Sequence, residues 1–455
     1  MINKQRMPAC NNINRNKEIF GTVFAKHRRI KHSIASVSVF AAAAVAFFPN
    51  SAKALEAYSA LAFRNSIGVN SVLSETSATS RYDAIKAALR DIGIVNIRAK
   101  LTPANAGRAR DLYQSSGVKT LARIDFRVGG KITGRADPSA IAQGVNTALS
   151  VGSQAIVGFE GPNEYTNHQH GPGWDDDLRD YMRRLSDEVR DRRLPQPIIG
   201  PTIYLRVPGD IRQLGDISNI IDASNFHIYT SGNEPSYRMG EWLSDARIMA
   251  PGKPVWVTEY GYHNAMKNPS QNPVSEVTAA KYLPRFASIY FSRDPQGKFF
   301  IFELVDAGTN PADREQNLGL MRSNLAKKPA FHALRRMIDA VKSGSTQVNP
   351  RDLAVQINGQ SNMETLLLQK SDKEYALLLW QEVKSWDVKS QRQLELAAKP
   401  VTVTLPSNAT FSLYDTLPFE NDPDRDAAPE QFGGPRRSVT VNVPDHVVIL
   451  QMKLS

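Results

Sequence analysis

The stretch VNIRAKLTPANAGRARDLYQSSGVKTLARIDF, residues 95–126, decides the fold class. It opens on an apolar strand pattern at 95–101, continues with helical spacing at 105–116 that stops at Gly117, and returns to a strand pattern at 119–126. A glycine directly after the last helical residue is typical of a helix end. The stretch is therefore predicted to form a strand–helix–strand unit with two parallel strands.

The same alternation continues on both sides of this unit. Eight strand patterns, most of them followed by a helical pattern, lie within residues 55–345. Eight such units close into a (β/α)8 TIM barrel, so we expect an α/β fold of this type. A doubly wound open sheet is the alternative, but it would normally carry a glycine-rich phosphate-binding turn after its first strand, and the sequence has none there. The predicted strands are 66–73, 95–101, 119–126, 155–160, 197–204, 225–229, 254–260 and 299–306.

The pattern changes after the predicted barrel. From residue 346 the sequence consists of short apolar bursts separated by turn residues, with no helical period. This sequence pattern predicts a β-sandwich accessory domain at 346–455. The polar, proline- and glycine-rich segment 418–437 is expected to form a surface loop of that domain.

The N-terminal segment has the layout of a targeting sequence. A basic stretch at 26–31 precedes the uncharged, alanine-rich stretch 33–48, and SAKA at 51–54 offers a small-x-small cleavage site. Residues 1–54 are therefore predicted to be a signal peptide cleaved near Ala54, which implies a secreted or periplasmic protein. An uncleaved anchor is the alternative, although the apolar run of 16 residues is shorter than the roughly 20 that a spanning helix needs.

The net charge of +11 is concentrated in the same segment. Residues 1–54 hold nine Lys/Arg and one Glu, which leaves +3 for the rest of the chain. We therefore expect no nucleic-acid partner, and no stable membrane insertion once the signal peptide is removed. The only cysteine is Cys10, which excludes an intrachain disulfide and a cysteine-based zinc site.

Two of the predicted barrel strands end in a glutamate. The fourth runs into GPNEY at 161–165, which contains Glu164, and the seventh runs into TEYGY at 258–262, which contains Glu259. These two strands lie nearly opposite each other in an eight-stranded ring, and functional side chains of such barrels stand at the carboxyl ends of the strands. Because burying an unpaired carboxylate is costly, we expect both glutamates to face one wet cleft. Structural ion pairing is the alternative.

Two carboxyl groups that face each other across a cleft are suited to cleaving a glycosidic bond. One must be protonated to assist the departing oxygen, and the other must be ionised to attack the anomeric carbon. At about 5–5.5 Å apart the two groups act by double displacement, with net retention of configuration. The negative charge of one carboxylate raises the pKa of its neighbour, which helps to separate the two roles.

The two strand ends resemble those of the retaining glycoside hydrolases of clan A, the 4/7 superfamily, over residues 60–345. The resemblance implies that Glu164 is the acid/base and Glu259 the nucleophile. It also implies supporting roles for the polar side chains around them. These are Asn163 at the sugar 2-hydroxyl, Arg98 steadying the nucleophile, and His227 and Tyr229 of a His-x-Tyr pattern, in which the aromatic polar group orients the nucleophile.

The resemblance has one departure. Many clan members carry a tryptophan at the end of strand eight as a platform for the sugar, whereas this strand reads FELVD at 302–306. The resemblance therefore implies neither the identity of the sugar nor a numbered family.

Aromatic and polar side chains near the two glutamates are further candidates. We expect Trp174 and Tyr262 to contact substrate by lining the cleft, although rings in loops also serve as packing plugs. Neighbouring candidates are Tyr165, His168 and His170 after the fourth strand, and Tyr260 and His263 beside Glu259. Glu160 is expected to be structural, and the acidic run 175–177 is expected to begin a helix rather than to bind calcium.

The sequence thus predicts an exported retaining glycoside hydrolase acting on a poly- or oligosaccharide, with no organic cofactor and no metal. Three alternatives stay open. The barrel could belong to a non-catalytic carbohydrate-binding protein, the enzyme could be a transglycosylase, or the sandwich could make the chain an extracellular scaffold or adhesin.

Overall fold

The computed structural model describes residues 54–71, 73, 79–125, 138–168, 172–203, 208–343 and 348–455. The predicted signal peptide, apart from Ala54, lies outside these residues, as do Cys10 and His170. Among the described helices, none has both the length and the apolarity that crossing a membrane requires.

Eight parallel strands form the predicted (β/α)8 barrel, so the predicted fold class is confirmed. Neighbouring strands pair in chain order, the eighth strand pairs with the first, and a bridge between Ile199 and Ala223 joins the fifth strand to the sixth. The strands are short and apolar and lie buried between the ring of helices and the barrel interior. In chain order they are Ile67–Asn70, Asn96–Ala99, Lys119–Arg123, Ile156–Glu160, Ile198–Ile199, Ser224–Ile228, Val255–Tyr260 and Phe299–Ile301.

Helices connect the strands on the outside of the barrel. The helix Ala106–Ser116 ends where the sequence predicts, because Gly117 takes the left-handed conformation (φ 69°) and donates its N–H to Tyr113 at 2.8 Å. The helix Ala60–Ser66 precedes the first strand. The other helices are Thr79–Ile92, Pro138–Leu149, Trp174–Asp191, Pro208–Leu214, Met239–Ala246, Glu276–Arg293 and Pro329–Ala340.

The C-terminal region is a mostly antiparallel β-sandwich, as predicted. Its long strand Lys399–Asp415 pairs first with Arg436–Val443 and then, after a register shift, with Val448–Leu454. This change of partner folds the strands over a separate apolar core. The remaining strands are Leu353–Ala354, Gln356–Asn358, Met363–Gln369, Glu374–Gln381, Trp386–Asp387, Arg392–Gln393 and Glu430–Gln431.

The first described residues belong to the sandwich and not to the barrel. On sequence alone the barrel begins at residue 55, yet Ala57–Ser59 pairs in parallel with Met363–Gln369. Ala54–Leu55 pairs antiparallel with Leu353–Ala354. The chain therefore starts in the sandwich, builds the barrel, and returns to the sandwich.

Buried ion pairs join the two parts into one compact unit. Arg285, on the barrel helix Glu276–Arg293, is fully buried and donates to Glu382 at 3.0 Å and to the Val383 carbonyl at 2.8 Å. One turn earlier, Lys281 contacts Asp445 at 3.0 Å. Because each charge is matched across the boundary, the interface tolerates burial of these groups.

A buried histidine lies beside this contact. The Nε2 atom of His446 is 2.8 Å from an oxygen of Asp415, and its Nδ1 atom is 3.9 Å from Asp445. Burial alone would lower the pKa of His446, but the two aspartates outweigh burial and raise that pKa to about 9.

Candidate active site

Arg98, at the end of the second strand, organises the floor of the cleft. It donates from Nε and Nη2 to both oxygens of Glu160, at 2.6 and 2.9 Å. Glu160 is fully buried and also accepts hydrogen bonds from Asn225 and Thr258, each at 2.9 Å. Glu160 therefore serves as the buried counter-ion that fixes the guanidinium, as its strand position suggested.

Arg98 extends from this floor to Glu259, one of the two predicted glutamates. Its Nη1 atom donates to Glu259 at 2.7 Å and to Asn70 at 2.9 Å, and its Nη2 atom donates to Asn163 at 2.5 Å. The predicted residues Arg98, Asn163 and Glu259 are thus brought together by one guanidinium. Burial would lower the pKa of Arg98, but Glu160 and Glu259 raise it overall, so the group stays charged.

Glu259 is held as an anion by several donors. Besides Arg98, Tyr229 donates its hydroxyl at 2.9 Å, and His227 Nδ1 lies 3.4 Å away. Burial alone would raise the pKa of Glu259, but the charges of His227 and Arg98 and the two hydrogen bonds lower it overall. Burial raises the pKa of Tyr229 well above its ordinary value, and the negative charge of Glu259 raises it further. The phenol therefore stays protonated and can donate its hydrogen bond.

A β-bulge explains why Glu259 faces the cleft. His227 pairs with Glu259 although its neighbour Phe226 pairs with Val257, so the seventh strand has one extra residue at Thr258. Side chains in a regular strand alternate between faces, yet Thr258 and Glu259 both contact groups inside the barrel. Bulges are enriched beside active sites because they redirect a side chain in this way.

Glu164 stands across the cleft in an unusual backbone conformation. Its φ is 43°, in the left-handed region that side chains other than glycine rarely adopt. Its N–H donates to Thr202 Oγ1 at 2.7 Å, which helps to hold that conformation. Its carboxylate lies 3.1 Å from His227 Nδ1 and is 23% exposed, against 9% for Glu259. Strain of this kind costs about 1–3 kcal/mol and is concentrated at functional sites.

The carboxylates of Glu164 and Glu259 lie close together in the cleft. One carboxylate oxygen of Glu164, one of Glu259 and a ring nitrogen of His227 all lie within 4.8 Å of one another. The same three atoms could ligate a metal ion, but Arg98 and Tyr229 already supply Glu259 with donors. The separation suits two carboxyl groups that act on opposite sides of one bond.

Two predicted contact residues pack away from this centre. The Tyr262 hydroxyl donates to the Asn233 carbonyl at 2.8 Å, and its ring packs against Tyr282 at 5.2 Å between centroids. Trp174 is half-buried, with its ring 6.3 Å from that of Tyr165. None of the described contacts of these two rings involves either glutamate.

Sequence reasoning missed several members of the site. Arg314, in the loop after the eighth strand, places its guanidinium 4.9 Å from the ring centroid of Tyr229. Asn70 and Asn225 lie at strand positions that read as ordinary polar ends, and only closure of the ring brings them to Arg98 and Glu160. No local pattern marks any of the three.

A cavity of about 260 Å³ adjoins the site at the ends of strands eight, one, two and three. Phe302, which directly follows the eighth strand, lines it. Gly261 permits the close approach of strands seven and eight, because a Cβ atom at Gly261 would lie 2.3 Å from the Phe302 carbonyl oxygen. The full lining is Asn70, Ser71, Leu73, Arg98, Ala99, Lys100, Arg123, Phe302 and Glu303.

Comparison with known proteins agrees with this geometry. Residues 214–315, which include the sixth, seventh and eighth strands, match the protein family described as "Glycosyl hydrolase catalytic core". None of the curated proteins matches the chain.

Solved structures share the whole architecture at low sequence identity. The glucosidase from Croceicoccus marinus aligns with a TM-score of 0.63 at 12% identity, covering 89% of this chain and 98% of its own. The glycoside hydrolase family 39 enzyme from Xanthomonas axonopodis pv. citri aligns with a TM-score of 0.57 at 15% identity, covering 88% and 96%. The family 39 β-xylosidase from Caulobacter crescentus gives 0.54 at 12%, covering 89% and 98%. At such identities the likeness shows the fold.

The barrel, the family match and the facing carboxylates define the class of protein, which is a glycosidase. Its substrate is accordingly a carbohydrate. Within that class the chain resembles the clan A glycoside hydrolases, as the sequence predicts, and no numbered family is assigned.

Proposed function

We propose that the protein is an exported retaining glycoside hydrolase that cleaves a poly- or oligosaccharide by double displacement. The observation that carries the proposal is the pair Glu164 and Glu259, whose nearest oxygens lie within 4.8 Å of each other. Retaining enzymes place their carboxyl groups about 5–5.5 Å apart, whereas inverting enzymes leave a wider gap for water.

The environments of the two glutamates support different roles for them. Glu259 has two hydrogen-bond donors and a pKa below its ordinary value, so it is ionised and ready to attack the anomeric carbon. Glu164 is the more exposed of the two, and its described side-chain contact is with His227. This arrangement favours a group that exchanges its proton with the leaving oxygen and later with water.

The hydrogen bonds around His227 support a proton between its Nδ1 atom and Glu164. Thr258 has one hydroxyl hydrogen and donates it to Glu160 or Asn225, so its oxygen accepts the Nε2–H of His227 at 3.2 Å. The Nδ1 atom then faces Glu164 at 3.1 Å, and two lone pairs at that distance would repel each other. A proton therefore lies between them, available to the leaving group.

The reaction follows from these roles. Glu259 attacks the anomeric carbon while Glu164 transfers its proton to the departing oxygen, which breaks the glycosidic bond and forms a glycosyl ester on Glu259. Glu164, now ionised, removes a proton from water, and the hydroxyl displaces Glu259 and restores both groups. The oxygen of Glu259 that does not attack can keep its donor throughout.

The test is covalent trapping of the nucleophile. Incubation with 2-fluoro glycosides of several sugars, followed by peptide mass mapping, is expected to label Glu259. Glu259→Gln and Glu164→Gln should each lose most hydrolysis of a glycan panel, whereas Glu241→Gln, an exposed glutamate paired with Arg238, should lose none. A label on another residue, or unchanged hydrolysis in both site variants, would contradict the assignment and favour a binding protein.

The proposal includes export through cleavage near Ala54. It is supported by the basic and alanine-rich N-terminal composition and by the small-x-small sequence at 51–54. N-terminal sequencing of the mature protein is expected to begin close to residue 55. A mature chain that retains residues 26–48 would contradict export by this route.

A further inference from the structure

The cavity beside the nucleophile has a basic wall. Arg98 lines it and also donates to Glu259, so a group bound there lies one guanidinium away from the reacting carboxylate. Lys100, after the second strand, and Arg123, at the end of the third, line the same side. The opposite side, from the eighth strand, is formed by Phe302 and Glu303.

The positive and negative charges along the basic wall are unevenly distributed. Arg98 is shared between Glu160 and Glu259. Lys100 Nζ and Arg123 Nε both approach one carboxylate, that of Asp125, at 3.2 and 3.3 Å. Among the described residues, two cations therefore share a single fully buried acid on this side of the cavity, whereas Arg98 is shared between two acids.

Both cations are accessible from the cavity. The Lys100 side chain is 42% exposed and that of Arg123 is 26% exposed, while Asp125 behind them is fully buried. Burial lowers the pKa of Arg123, more than Asp125 raises it, which marks a guanidinium whose lost hydration is only partly replaced. An anionic group of a ligand could pair with the accessible parts of both cations.

We infer that this cavity binds a sugar unit carrying an anionic substituent, a carboxylate or a sulfate, through Arg123 and Lys100. The planar guanidinium fork matches either group in two-point contact, and Lys100 adds a point charge. Glu303, on the facing wall, is placed to accept hydroxyl hydrogens of the same ring. The inference rests on the proposed function and names its substrate class as acidic glycans.

A structural role for the two cations is the competing explanation. Neutralising Asp125 requires one positive charge, and either cation alone would supply it. Two cations that are both partly open to a cavity of sugar size are better explained by an anion that enters from solvent.

The test compares matched substrates that differ only in charge. Polygalacturonate, alginate, hyaluronan and glucuronoxylan are assayed beside their carboxyl-reduced forms, and chondroitin sulfate beside its desulfated form. We expect at least one anionic member to be cleaved with a kcat/KM about tenfold or more above that of its neutral counterpart, and the carboxylate and sulfate pairs distinguish the two substituents. Equal or faster cleavage of the neutral members would overturn the inference and leave the proposed function standing.

Variants assign the preference to particular residues. Arg123→Gln is expected to reduce the anionic-to-neutral ratio of kcat/KM about 10- to 100-fold, mainly through KM, because hydrogen bonds to charged groups contribute that much. Arg123→Lys should retain part of the ratio, and Lys100→Met should reduce it less because Lys100 is more exposed. Arg351→Gln, an exposed arginine of the sandwich, is the matched control and should leave the ratio unchanged. A fall in both rates by the same factor after Arg123→Gln would contradict the assignment.

Binding to an inactive variant separates this inference from the proposed function. Calorimetric titration of Glu259→Gln with both members of each pair should show tighter, salt-sensitive binding of the anionic member. If that preference appears while the native protein cleaves nothing, the cavity assignment stands and the hydrolase proposal fails. If neither member of any pair is bound or cleaved, both are overturned.

Discussion

Replacing Tyr229 with phenylalanine removes one hydrogen bond from the proposed nucleophile and little else. The hydroxyl donates to Glu259 at 2.9 Å, while the ring, which Arg314 covers at 4.9 Å, is retained by phenylalanine. A hydrogen bond to a charged group contributes about 1.5–3 kcal/mol. Because Arg98 and His227 remain beside Glu259, we take the lower end, about 1.5 kcal/mol, which corresponds to roughly one pKa unit.

The sign of the effect is fixed by which form of Glu259 the hydrogen bond stabilises. The phenol donates to the ionised carboxylate and helps to hold its pKa below the ordinary value, so its removal raises that pKa. Attack requires the ionised form. We therefore expect the acid limb of kcat/KM against pH to move about one unit toward higher pH in Tyr229→Phe.

The assay is the pH profile of kcat/KM on any cleaved glycan, with Tyr82→Phe as the matched control. Tyr82 also donates its hydroxyl to a carboxylate, Asp111 at 2.6 Å, but it lies between the outer helices. The control should leave the acid limb where it is. If Tyr229→Phe lowers the plateau and the acid limb does not move, Tyr229 does not act through the charge of Glu259 and the reasoning fails.

Three further predictions concern stability. Arg285→Met should cost about 3–5 kcal/mol in the free energy of unfolding, since it leaves Glu382 in a buried position without its partner, and the double variant with Glu382→Gln should recover part of that loss in denaturant titrations. The raised pKa of His446 stabilises the fold, and this contribution is fully present below the ordinary histidine pKa. Up to about 3 kcal/mol of the free energy of unfolding should therefore be lost as pH rises from about 6.5 through about 9. His446→Gln should flatten that part of the curve of stability against pH. Glu164→Gly should have a free energy of unfolding about 1 kcal/mol higher than that of Glu164→Ala, because glycine adopts φ 43° without strain. Equal stabilities of the two variants in thermal unfolding would contradict the strain.

The barrel was predictable because its signal is local and repeated. All eight strands occur at the predicted places, although several are shorter than expected. The fifth was predicted at 197–204 and is Ile198–Ile199, since Pro201 has no N–H to donate to the sheet ladder. The helix Pro208–Leu214 was not predicted, although a proline at its first position is a usual start signal.

The pairing of the chain start with the sandwich was not predictable by the same means. Ala57 pairs with Leu367, and nothing in the five residues around Ala57 indicates a partner so far along the chain. The contact is decided by which apolar face remains uncovered once the sandwich has formed, which is a property of the assembled fold.

The residues of the site likewise divide into those that the local sequence predicts and those that it does not. Glu164 and Glu259 were predictable because each directly follows an apolar strand at a known place in an eight-fold pattern. Thr258 was not, because a polar residue one step from Glu259 should face the other side of the strand, and only the bulge turns both inward. Arg123 and Lys100 read as strand-end cations exposed to solvent until the structure places them on one cavity wall.

The division of Arg98 between two acids supports the proposed role of Glu259, because it shows how a buried carboxylate can keep its negative charge. A guanidinium paired only with Glu259 would neutralise it and hold it away from the substrate. Arg98 instead gives two hydrogen bonds to Glu160 and one to Glu259, so the two-point contact fixes the cation while the single contact supports the proposed nucleophile. In the proposed reaction Glu160 would therefore act as a positioning residue, because it fixes Arg98 and leaves Glu259 with negative charge for the attack.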